Sequence, residues 1–383
     1  MRMIRKALSM LLVLCMLCGA VTVSGFCQEN AGAEELRDCP VLHETEFGGM
    51  YITATIDEFN ALGYRYGDSV DIVFSNGYRL EDQPYFNGYY TPTGQSLLVA
   101  YPGYPYIRAG INNGDDLWIL AGLTENDTAT ITLREHGKYL DIQMARDIHY
   151  TDDRSDYASD EVFANFRSVN ATGIAPGMLY RSASPCDNQH NRAPIADALI
   201  ESAGVNCILN LADDEEEIAA FLSDESYSTP YFRSLYENGQ VIPTELNTNF
   251  TSDAFMQKLA AGLSAMAEQE GPYLVHCAEG KDRTGFVCLL LEALCGADYE
   301  EIVEDYMITY SNYYGITPAS DPARYTAIVR QVLDPMVLLL AGDGDTTPEE
   351  ADLAAGARSY LLAAGMDKTR IDRLIDRLGS AAG

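Results

Sequence analysis

The fold is decided by one stretch of the sequence, His276-Cys-Ala-Glu-Gly-Lys-Asp-Arg-Thr-Gly285, which follows the apolar run Tyr273-Leu-Val275 and leads into an apolar helical pattern over residues 284–294. A loop that joins a buried strand to a helix turns successive backbone N–H groups inward, at the positive end of the helix dipole. Gly280 and Gly285 remove side chains where the backbone must curl around an anion. Residues 277–283, here called the cysteine loop, are therefore predicted to bind phosphate. The predicted phosphate-binding residues are Ala278, Glu279, Gly280, Lys281, Asp282 and Arg283.

Three side chains of this stretch have the chemistry needed to cleave a phosphate ester. The helix end and the inward N–H groups favour the thiolate form of Cys277, which makes this residue the predicted nucleophile. Arg283 carries a planar fork of donors that can hold two phosphoryl oxygens. The Thr284 hydroxyl can donate a hydrogen bond to the Cys277 sulfur. This chemistry needs no metal ion and no other cofactor, and beyond residue 33 the sequence has no C-x-x-C pattern typical of a zinc site.

The loop resembles the signature of the cysteine-dependent phosphatases, HCxxGxxR followed by Ser or Thr. The likeness is greatest to bacterial tyrosine or dual-specificity phosphatases that also hydrolyse phosphoinositides. It extends over about residues 160–383 and implies a covalent cysteinyl-phosphate intermediate on Cys277, with Arg283 as the phosphate clamp and Thr284 as the hydroxyl partner. It also implies that Lys281 confers tolerance of inositol head groups. Further pieces of the likeness are Asn165-Phe-Arg167, Gly177-Met-Leu-Tyr-Arg-Ser182 and Asp305-Tyr-Met-Ile-Thr309.

The general acid is harder to assign. The family commonly reads Asp-Leu-Arg where this chain reads Asn210-Leu-Ala212, so the acid and base of that pattern are absent. The leaving oxygen still needs a proton when the ester breaks. We predict Asp213 as the donor, with Asp214 beside it. Glu245 and Asp282 remain alternatives, the first because a mobile acid loop often precedes the cysteine in related phosphatases, the second because it lies inside the cysteine loop.

Residues 161–383 are predicted to form an α/β phosphatase domain, with a central and mostly parallel sheet flanked by helices. Strand candidates at residues 207–211 and 273–276 alternate with helical stretches at 253–269, 284–294 and 299–313. Such alternation is typical of α/β folds. Residues 151–160 are polar and lack periodicity, and we predict a linker there.

Residues 34–150 are predicted to form a small all-β barrel or sandwich of unknown role. Turn signals such as Asn76-Gly77, Asn87-Gly88 and Asn113-Gly114 separate short strand candidates. These candidates cover residues 51–56, 69–74, 96–100, 116–120 and 128–133. The region is rich in tyrosine, which fits ordinary strand packing as well as an aromatic platform for a sugar, a peptide or another cell-surface ligand.

The amino terminus has the pattern of a secretory signal peptide over residues 1–33. Arg2, Arg5 and Lys6 precede an apolar run, and Ala31-Gly-Ala33 has the form of a cleavage site. We therefore expect a secreted or cell-envelope-exposed protein. An uncleaved membrane anchor is the alternative, since the run approaches the length of a bilayer span.

Composition limits the partners and the substrates. The chain has 383 residues, 47% hydrophobic and 21% charged, which is typical of a globular protein. Its formal net charge of −32 argues against nucleic-acid binding, because the phosphate backbone would be repelled. The same charge favours a phosphotyrosine protein, a phosphoserine or phosphothreonine protein, or a phosphoinositide over a polyphosphate such as phytate. An inositol-polyphosphate phosphatase and an inactive phosphate-binding or surface-adhesion module remain the alternatives.

Overall fold

The computed structural model describes residues 35–341 and 346–380, so the predicted signal peptide lies outside the described residues. Seven strands and three short helices form the amino-terminal part. The strands are β1 (Leu36–His43), β2 (Met50–Ile52), β3 (Ser69–Phe74), β4 (Arg79–Phe86), β5 (Ser96–Val99), β6 (Ile107–Ile111) and β7 (Thr128–Glu135). The helices are α1 (Ile56–Ala61), α2 (Leu117–Ala121) and α3 (Leu140–Arg146).

The seven strands close into a barrel, in the order β1-β2-β6-β5-β4-β3-β7, with β7 paired to β1. Every neighbouring pair is antiparallel except β4 and β5, which are parallel. Alternate side chains of the strands fill the interior, where Ile52, Val70 and Ile131 are fully buried. Of the two predicted architectures, a small barrel or a sandwich, the structure shows the barrel, with three short helices added to it.

One of the predicted strands, at residues 116–120, is wrong, and another, at residues 51–56, is only partly a strand. The candidate at residues 116–120 is instead the start of helix α2 (Leu117–Ala121), because the Asp116 side chain accepts a hydrogen bond from the Trp118 amide at 2.9 Å and caps the helix. Gly122, in the left-handed region, ends it. The candidate at residues 51–56 stops at Ile52, since Thr55 and Glu58 form a capping box that begins α1. Side-chain capping overrides the strand-like apolar pattern at both places.

The carboxy-terminal part contains five strands and eleven numbered helices within the described residues. The strands are β8 (Arg167–Ser168), β9 (Leu179–Ser182), β10 (Cys207–Asn210), β11 (Val241–Pro243) and β12 (Tyr273–His276). The helices are α4 (Asp160–Phe163), α5 (Ala193–Ser202), α6 (Glu215–Ser223), α7 (Pro230–Glu237), α8 (Asp253–Glu268), α9 (Asp282–Cys295), α10 (Tyr299–Tyr314), α11 (Pro322–Ile328), α12 (Asp334–Ala341), α13 (Leu353–Ala363) and α14 (Lys368–Gly379). A π-helical segment, Val329–Leu333, joins α11 to α12.

These five strands form one sheet in the order β11-β10-β12-β9-β8, parallel except for β8. Strand β12 lies at its centre and is wholly buried. Tyr273 and Val275 face the larger hydrophobic core, whereas Leu274 faces a second core on the other side of the sheet. Because side chains alternate along a strand, β12 is covered on both faces, and its carboxyl end delivers the cysteine loop to the sheet edge.

The barrel region joins the carboxy-terminal part through helix α3. Ala145 is buried in the larger core of the carboxy-terminal part. Arg324 on α11 donates hydrogen bonds from Nη1 to the carbonyls of Met144 at 3.3 Å and Asp147 at 2.6 Å, at the carboxyl end of α3. The α3 helix is therefore held against α11. Among the described residues, no helix has the length and apolar character needed to cross a membrane.

Candidate active site

The cysteine loop leaves β12 and enters α9 with its carbonyl groups turned away from its centre. The Ser184 amide donates to the Ala278 carbonyl at 3.0 Å, and the Tyr313 hydroxyl donates to the Glu279 carbonyl at 2.7 Å. The next carbonyl, that of Gly280, is also bonded outside the loop. In a trans peptide the C=O and the following N–H point to opposite sides. With three carbonyls tied outward, the N–H groups of residues 279–281 face the interior, as an anion site requires.

Gly280 brings the backbone of the loop into close contact with strand β9. Its carbonyl accepts hydrogen bonds from Arg181 Nη2 at 3.0 Å and from Asn165 Nδ2 at 3.2 Å. Its φ is +67°, and a Cβ at this position would lie 2.3 Å from the Ser182 carbonyl oxygen. Only glycine fits both the backbone conformation and the space.

A buried ion network supports the loop from behind. Asp305 on α10 accepts from Arg181 Nη1 at 2.5 Å and from Arg167 Nε at 2.9 Å. Arg167 also donates to the Asn165 side chain at 2.8 Å. Burial works against ionisation of Asp305, but Arg167 and Arg181 hold the pKa of its carboxyl well below the usual range. Since Arg181 and Asn165 both bond Gly280, the network fixes the loop to two strands and a helix.

Cys277 and Arg283 lie at the same edge of the sheet. Cys277 is buried, with 3% of its surface exposed. Arg283 Nη1 donates to the Leu246 carbonyl at 2.9 Å. The Leu246 amide donates to the Leu211 carbonyl, and the Leu211 amide donates to the His276 carbonyl. This chain of bonds ties the loop that holds the guanidinium to the end of β12, next to the cysteine.

Thr284 and His276 flank the cysteine loop, and both are fully buried. Thr284 Oγ1 has no hydrogen-bond partner among the residues that the structure describes, so the predicted bond to the Cys277 sulfur is not made here. Burial lowers the pKa of His276 to about 3, so its imidazole is neutral at physiological pH. His276 Nδ1 lies 3.3 Å from the Cys277 carbonyl and helps to fix the start of the loop.

Asp213 is held in a buried position beside the loop by Asn210. The Asn210 Oδ1 atom accepts from the amides of Ala212 at 2.9 Å and Asp213 at 3.1 Å, and Asn210 Nδ2 donates to Asp213 Oδ2 at 3.0 Å. The Cys186 thiol donates to the same carboxylate oxygen at 3.8 Å. Burial raises the pKa of the Asp213 carboxyl, while the Asn210 bond and the charge of Arg283 oppose this rise. The carboxyl is therefore biased toward the protonated form that a general acid needs.

The three rival carboxylates lie in other settings. Asp214 caps helix α6, where its side chain accepts from the Glu217 amide at 2.8 Å. Glu245 is 57% exposed and pairs with Lys258 at 2.6 Å. Asp282 is the first residue of α9, and its side chain is 45% exposed. Of the four candidate carboxylates, Asp213 is the one that is buried.

Lys281 is directed toward groups of the protein itself. Its Nζ lies 3.6 Å from Glu279, 3.8 Å from Asp282 and 3.3 Å from the Tyr314 hydroxyl. Burial works against its charge, but the neighbouring Asp282, Tyr314 and Glu279 raise the pKa of the ammonium group. The side chains of the loop thus neutralise one another.

The sequence reasoning assigned no role to several residues that position the site. Asn165, Arg181 and Tyr313 hold loop carbonyls, and Asn210 holds Asp213. The sequence pieces that support the phosphatase likeness contain Asn165 and Arg181, and Asn210 stands where the family commonly has Asp, which was the available signal. Nothing in the sequence marked Tyr313. Within residues 35–341 and 346–380, no group of three or more His, Cys, Asp or Glu side chains is arranged to hold a metal ion.

Comparison with known proteins identifies the family. Residues 161–379 match the family model described as "Tyrosine phosphatase family". A curated tyrosine-protein phosphatase from Nostoc commune is 34% identical over 123 residues, which are 30% of this chain and 42% of the relative. The aligned segment thus spans less than half of that relative.

Two solved structures show lower similarity. The core catalytic domain of the PP-IP phosphatase SIW14 from S. cerevisiae, in complex with citrate, is 21% identical at a TM-score of 0.26. That match covers 43% of this chain and 83% of the other. TpbA from P. aeruginosa, in complex with pTyr, is 20% identical at a TM-score of 0.26, and the match covers 46% of this chain and 96% of TpbA. The family assignment rests on the family model, which covers more than half of the chain. The predicted likeness to cysteine-dependent tyrosine phosphatases is thereby confirmed, and the chain belongs to the tyrosine phosphatase family of hydrolases.

Proposed function

We propose that the protein is a phosphomonoesterase that hydrolyses phosphotyrosine in proteins through a cysteinyl-phosphate intermediate. The observation that carries this proposal is the cysteine loop itself. Three of its carbonyls are tied outward, which supports an inward direction for the amides of residues 279–281, in the loop that starts at Cys277. Arg283 lies at the same sheet edge and supplies the planar cation that such a site needs.

In the first step the Cys277 thiolate attacks phosphorus, a sulfur–phosphorus bond forms and the ester phosphorus–oxygen bond breaks. The loop amides and the Arg283 guanidinium stabilise the charge on the phosphoryl oxygens. Asp213 gives its proton to the leaving phenolic oxygen, and its raised pKa keeps that proton available.

In the second step water attacks the phosphorus of the intermediate and the sulfur–phosphorus bond breaks. The Asp213 carboxylate takes the proton of the water, inorganic phosphate leaves and the thiolate is restored. The water proton thus replaces the one that Asp213 donated, and the cycle balances with water as the only co-reactant.

The charges around the loop favour a phosphopeptide over an inositol polyphosphate. Lys281 already pairs with Glu279 and Asp282, so its charge is not available for a second phosphate. The whole chain carries a formal charge of −32, which repels polyanions at low ionic strength. We expect kcat/KM to be higher for a phosphotyrosine peptide than for phytate, and a higher value for phytate at low salt would contradict this choice.

The test of the nucleophile is the turnover of para-nitrophenyl phosphate by the full chain and by Cys277→Ser. We expect the variant to lose detectable turnover while its circular dichroism spectrum stays unchanged. Cys295→Ser is a matched control, since it alters a partly buried thiol at the far end of helix α9. Activity that survives in Cys277→Ser would overturn the proposal.

The test of the general acid compares substrates with good and poor leaving groups. A general acid contributes about 10²–10⁴-fold when the leaving oxygen is basic. We expect Asp213→Asn to lose activity in this range on phosphotyrosine and much less on dinitrophenyl phosphate. Asp214→Asn is the control, because Asn caps a helix as well as Asp does. If Asp282→Asn shows the leaving-group dependence and Asp213→Asn does not, the assignment of Asp213 is wrong.

Export and a surface ligand for the barrel also belong to the proposal. They are supported by the signal-peptide pattern of residues 1–33 and by the tyrosine content of residues 34–150. Expression with and without residues 1–33, followed by fractionation of cells and medium, tests export. Retention of the full chain inside the cell would contradict it.

A further inference from the structure

A cavity of about 470 Å³ lies beside the cysteine loop and has no part in the chemistry described above. Asp282, the residue before the phosphate clamp, forms part of its wall. Thr248 and Phe250 line it from the segment that follows Leu246, whose carbonyl holds Arg283. The cavity therefore adjoins the cysteine loop at its last residues and at the segment that holds Arg283.

The remaining wall of the cavity is mostly apolar, with one cation at its rim. Met336 and Leu339 of α12 contribute apolar surface, and the Phe250 ring stacks on Phe286 with centroids 4.3 Å apart. Arg146, the last residue of α3, supplies the cation. An aromatic ring with an acidic neighbour fits such a surface, because the ring can pack on Phe250 while the acid faces Arg146.

The charge on Arg146 is not used elsewhere in the described part of the chain. Asp282, the other charged residue of the cavity, lies 3.8 Å from Lys281, whereas the ion pairs among residues 35–341 and 346–380 do not include Arg146. An unpaired arginine next to a phosphate-binding loop attracts an anion. Its positive charge acts locally, whereas the chain as a whole has a formal charge of −32 and repels anions at longer range.

Arg146 comes from the segment that connects the barrel to the phosphatase part, and a second residue of that segment also reaches the loop. The Tyr150 ring stacks on Tyr313 at 5.1 Å, and Tyr313 bonds the Glu279 carbonyl. Burial and the nearby Glu279 carboxylate raise the pKa of the Tyr150 hydroxyl. The segment from α3 to Tyr150 thus lines the cavity beside the cysteine loop through Arg146 and packs through Tyr150 on Tyr313, which bonds the loop.

We propose that this cavity is the substrate's second binding site and that Arg146 selects phosphotyrosine peptides with an acidic residue next to the phosphotyrosine. The barrel region would then serve recognition by placing α3, rather than acting only as a separate tether. This inference rests on the proposed phosphatase function and names the class of peptide that the same site prefers.

The experiment measures kcat/KM of the full chain on two phosphotyrosine peptides that differ only by Glu or Gln next to the phosphotyrosine. We expect the Glu peptide to be favoured about 2- to 5-fold, the range that a partly exposed ion pair supplies. The preference should shrink toward one as salt is raised to about 0.5 M, where the Debye length falls below about 5 Å. Because the result is a ratio within one protein, a general change in activity cancels.

Three variants separate the effect of the Arg146 side chain from the effect of removing one positive charge from the protein. Arg146→Gln should abolish the preference and Arg146→Lys should keep part of it. Arg79→Gln removes the same charge from the exposed start of β4 and should keep the preference in full. Equal kcat/KM for the two peptides in the unchanged protein, or an unchanged ratio in Arg146→Gln, would overturn the inference.

A third substrate pair tests the alternative class. This pair consists of soluble short-chain phosphoinositides with one or two phosphates. The peptide assignment is wrong if Arg146 is needed for a preference for two phosphates while the two peptides are hydrolysed equally well. Failure of the underlying function is distinguishable, because no peptide would then be hydrolysed, or hydrolysis would survive Cys277→Ser.

Discussion

Replacing Gly280 by alanine should disable the cysteine loop through one methyl group. The new Cβ would lie 2.3 Å from the Ser182 carbonyl oxygen and 2.9 Å from the Ala183 nitrogen, both backbone atoms that cannot rotate away. Such overpacking costs about 1–3 kcal/mol, and a left-handed conformation costs a non-glycine residue about 1–2 kcal/mol more. The loop must move by about 1 Å to relieve the contact, and a misplacement of this size costs about 10²-fold in rate.

Gly315→Ala is the matched control for this change. Gly315 has a φ of +64°, close to the +67° of Gly280, but a Cβ there would meet no atom within 4 Å. It therefore carries the conformational cost without the steric contact. We expect kcat/KM on para-nitrophenyl phosphate to fall about 10²-fold in Gly280→Ala and to change less than about 3-fold in Gly315→Ala.

The thermal unfolding midpoint of both variants should fall, and further for Gly280→Ala, because only that variant adds the steric cost. If Gly280→Ala keeps its activity within about 3-fold of Gly315→Ala, the loop does not depend on its close approach to β9, and the reasoning from its geometry is refuted.

Three further results are expected from the buried groups around the loop. Asp305→Asn leaves the charges of Arg167 and Arg181 uncompensated. The free energy of unfolding, measured with denaturant, should therefore fall by about 3–5 kcal/mol. Because the folded-state pKa of Asp305 is lowered, ionised Asp305 stabilises the folded protein fully above about pH 4, and this stabilisation is lost as the pH falls further. The stability of Asp305→Asn should therefore lack this loss at acid pH. Burial raises the pKa of Glu292 well above its ordinary value, which favours the neutral carboxyl, so Glu292→Gln should change the unfolding free energy by less than about 1 kcal/mol, and a larger loss would contradict this. Tyr313→Phe removes the hydrogen bond to the Glu279 carbonyl and should lower the free energy of unfolding by about 1 kcal/mol. We also expect kcat to fall several-fold, and an unchanged kcat would contradict the positioning role of Tyr313.

The cysteine loop could be predicted from the sequence because its physics is local. A buried strand, a glycine-containing turn and a helix start are adjacent in the chain, so residues 276–285 predict an anion site without reference to distant residues. The β-rich amino-terminal region was also predictable as a barrel or a sandwich, since period-2 patterns and Asn-Gly turns are short-range signals, whereas closure into a barrel depends on strand pairing that these signals do not give. The strand expected at residues 116–120 failed because the Asp116 cap outweighed the apolar run.

The settings of the carboxylates could not be read from the sequence. Asp213 and Asp214 are neighbours in one acidic run, yet the fold buries the first against Asn210 and leaves the second exposed as a helix cap. Burial depends on which strands and helices pack together, and it decides whether a carboxyl keeps its proton.

The sequence alone therefore indicated the family and predicted a nucleophile and a phosphate clamp, because the residues concerned lie within ten consecutive positions whose pattern is local. Only the tertiary structure decided how the loop is held and what lies beside it. Asn165, Arg181 and Asp305 are far apart in the chain and meet behind Gly280, and Arg146 reaches the neighbouring cavity from the barrel region. Such contacts arise from the packing of whole elements, which no local pattern of residues encodes.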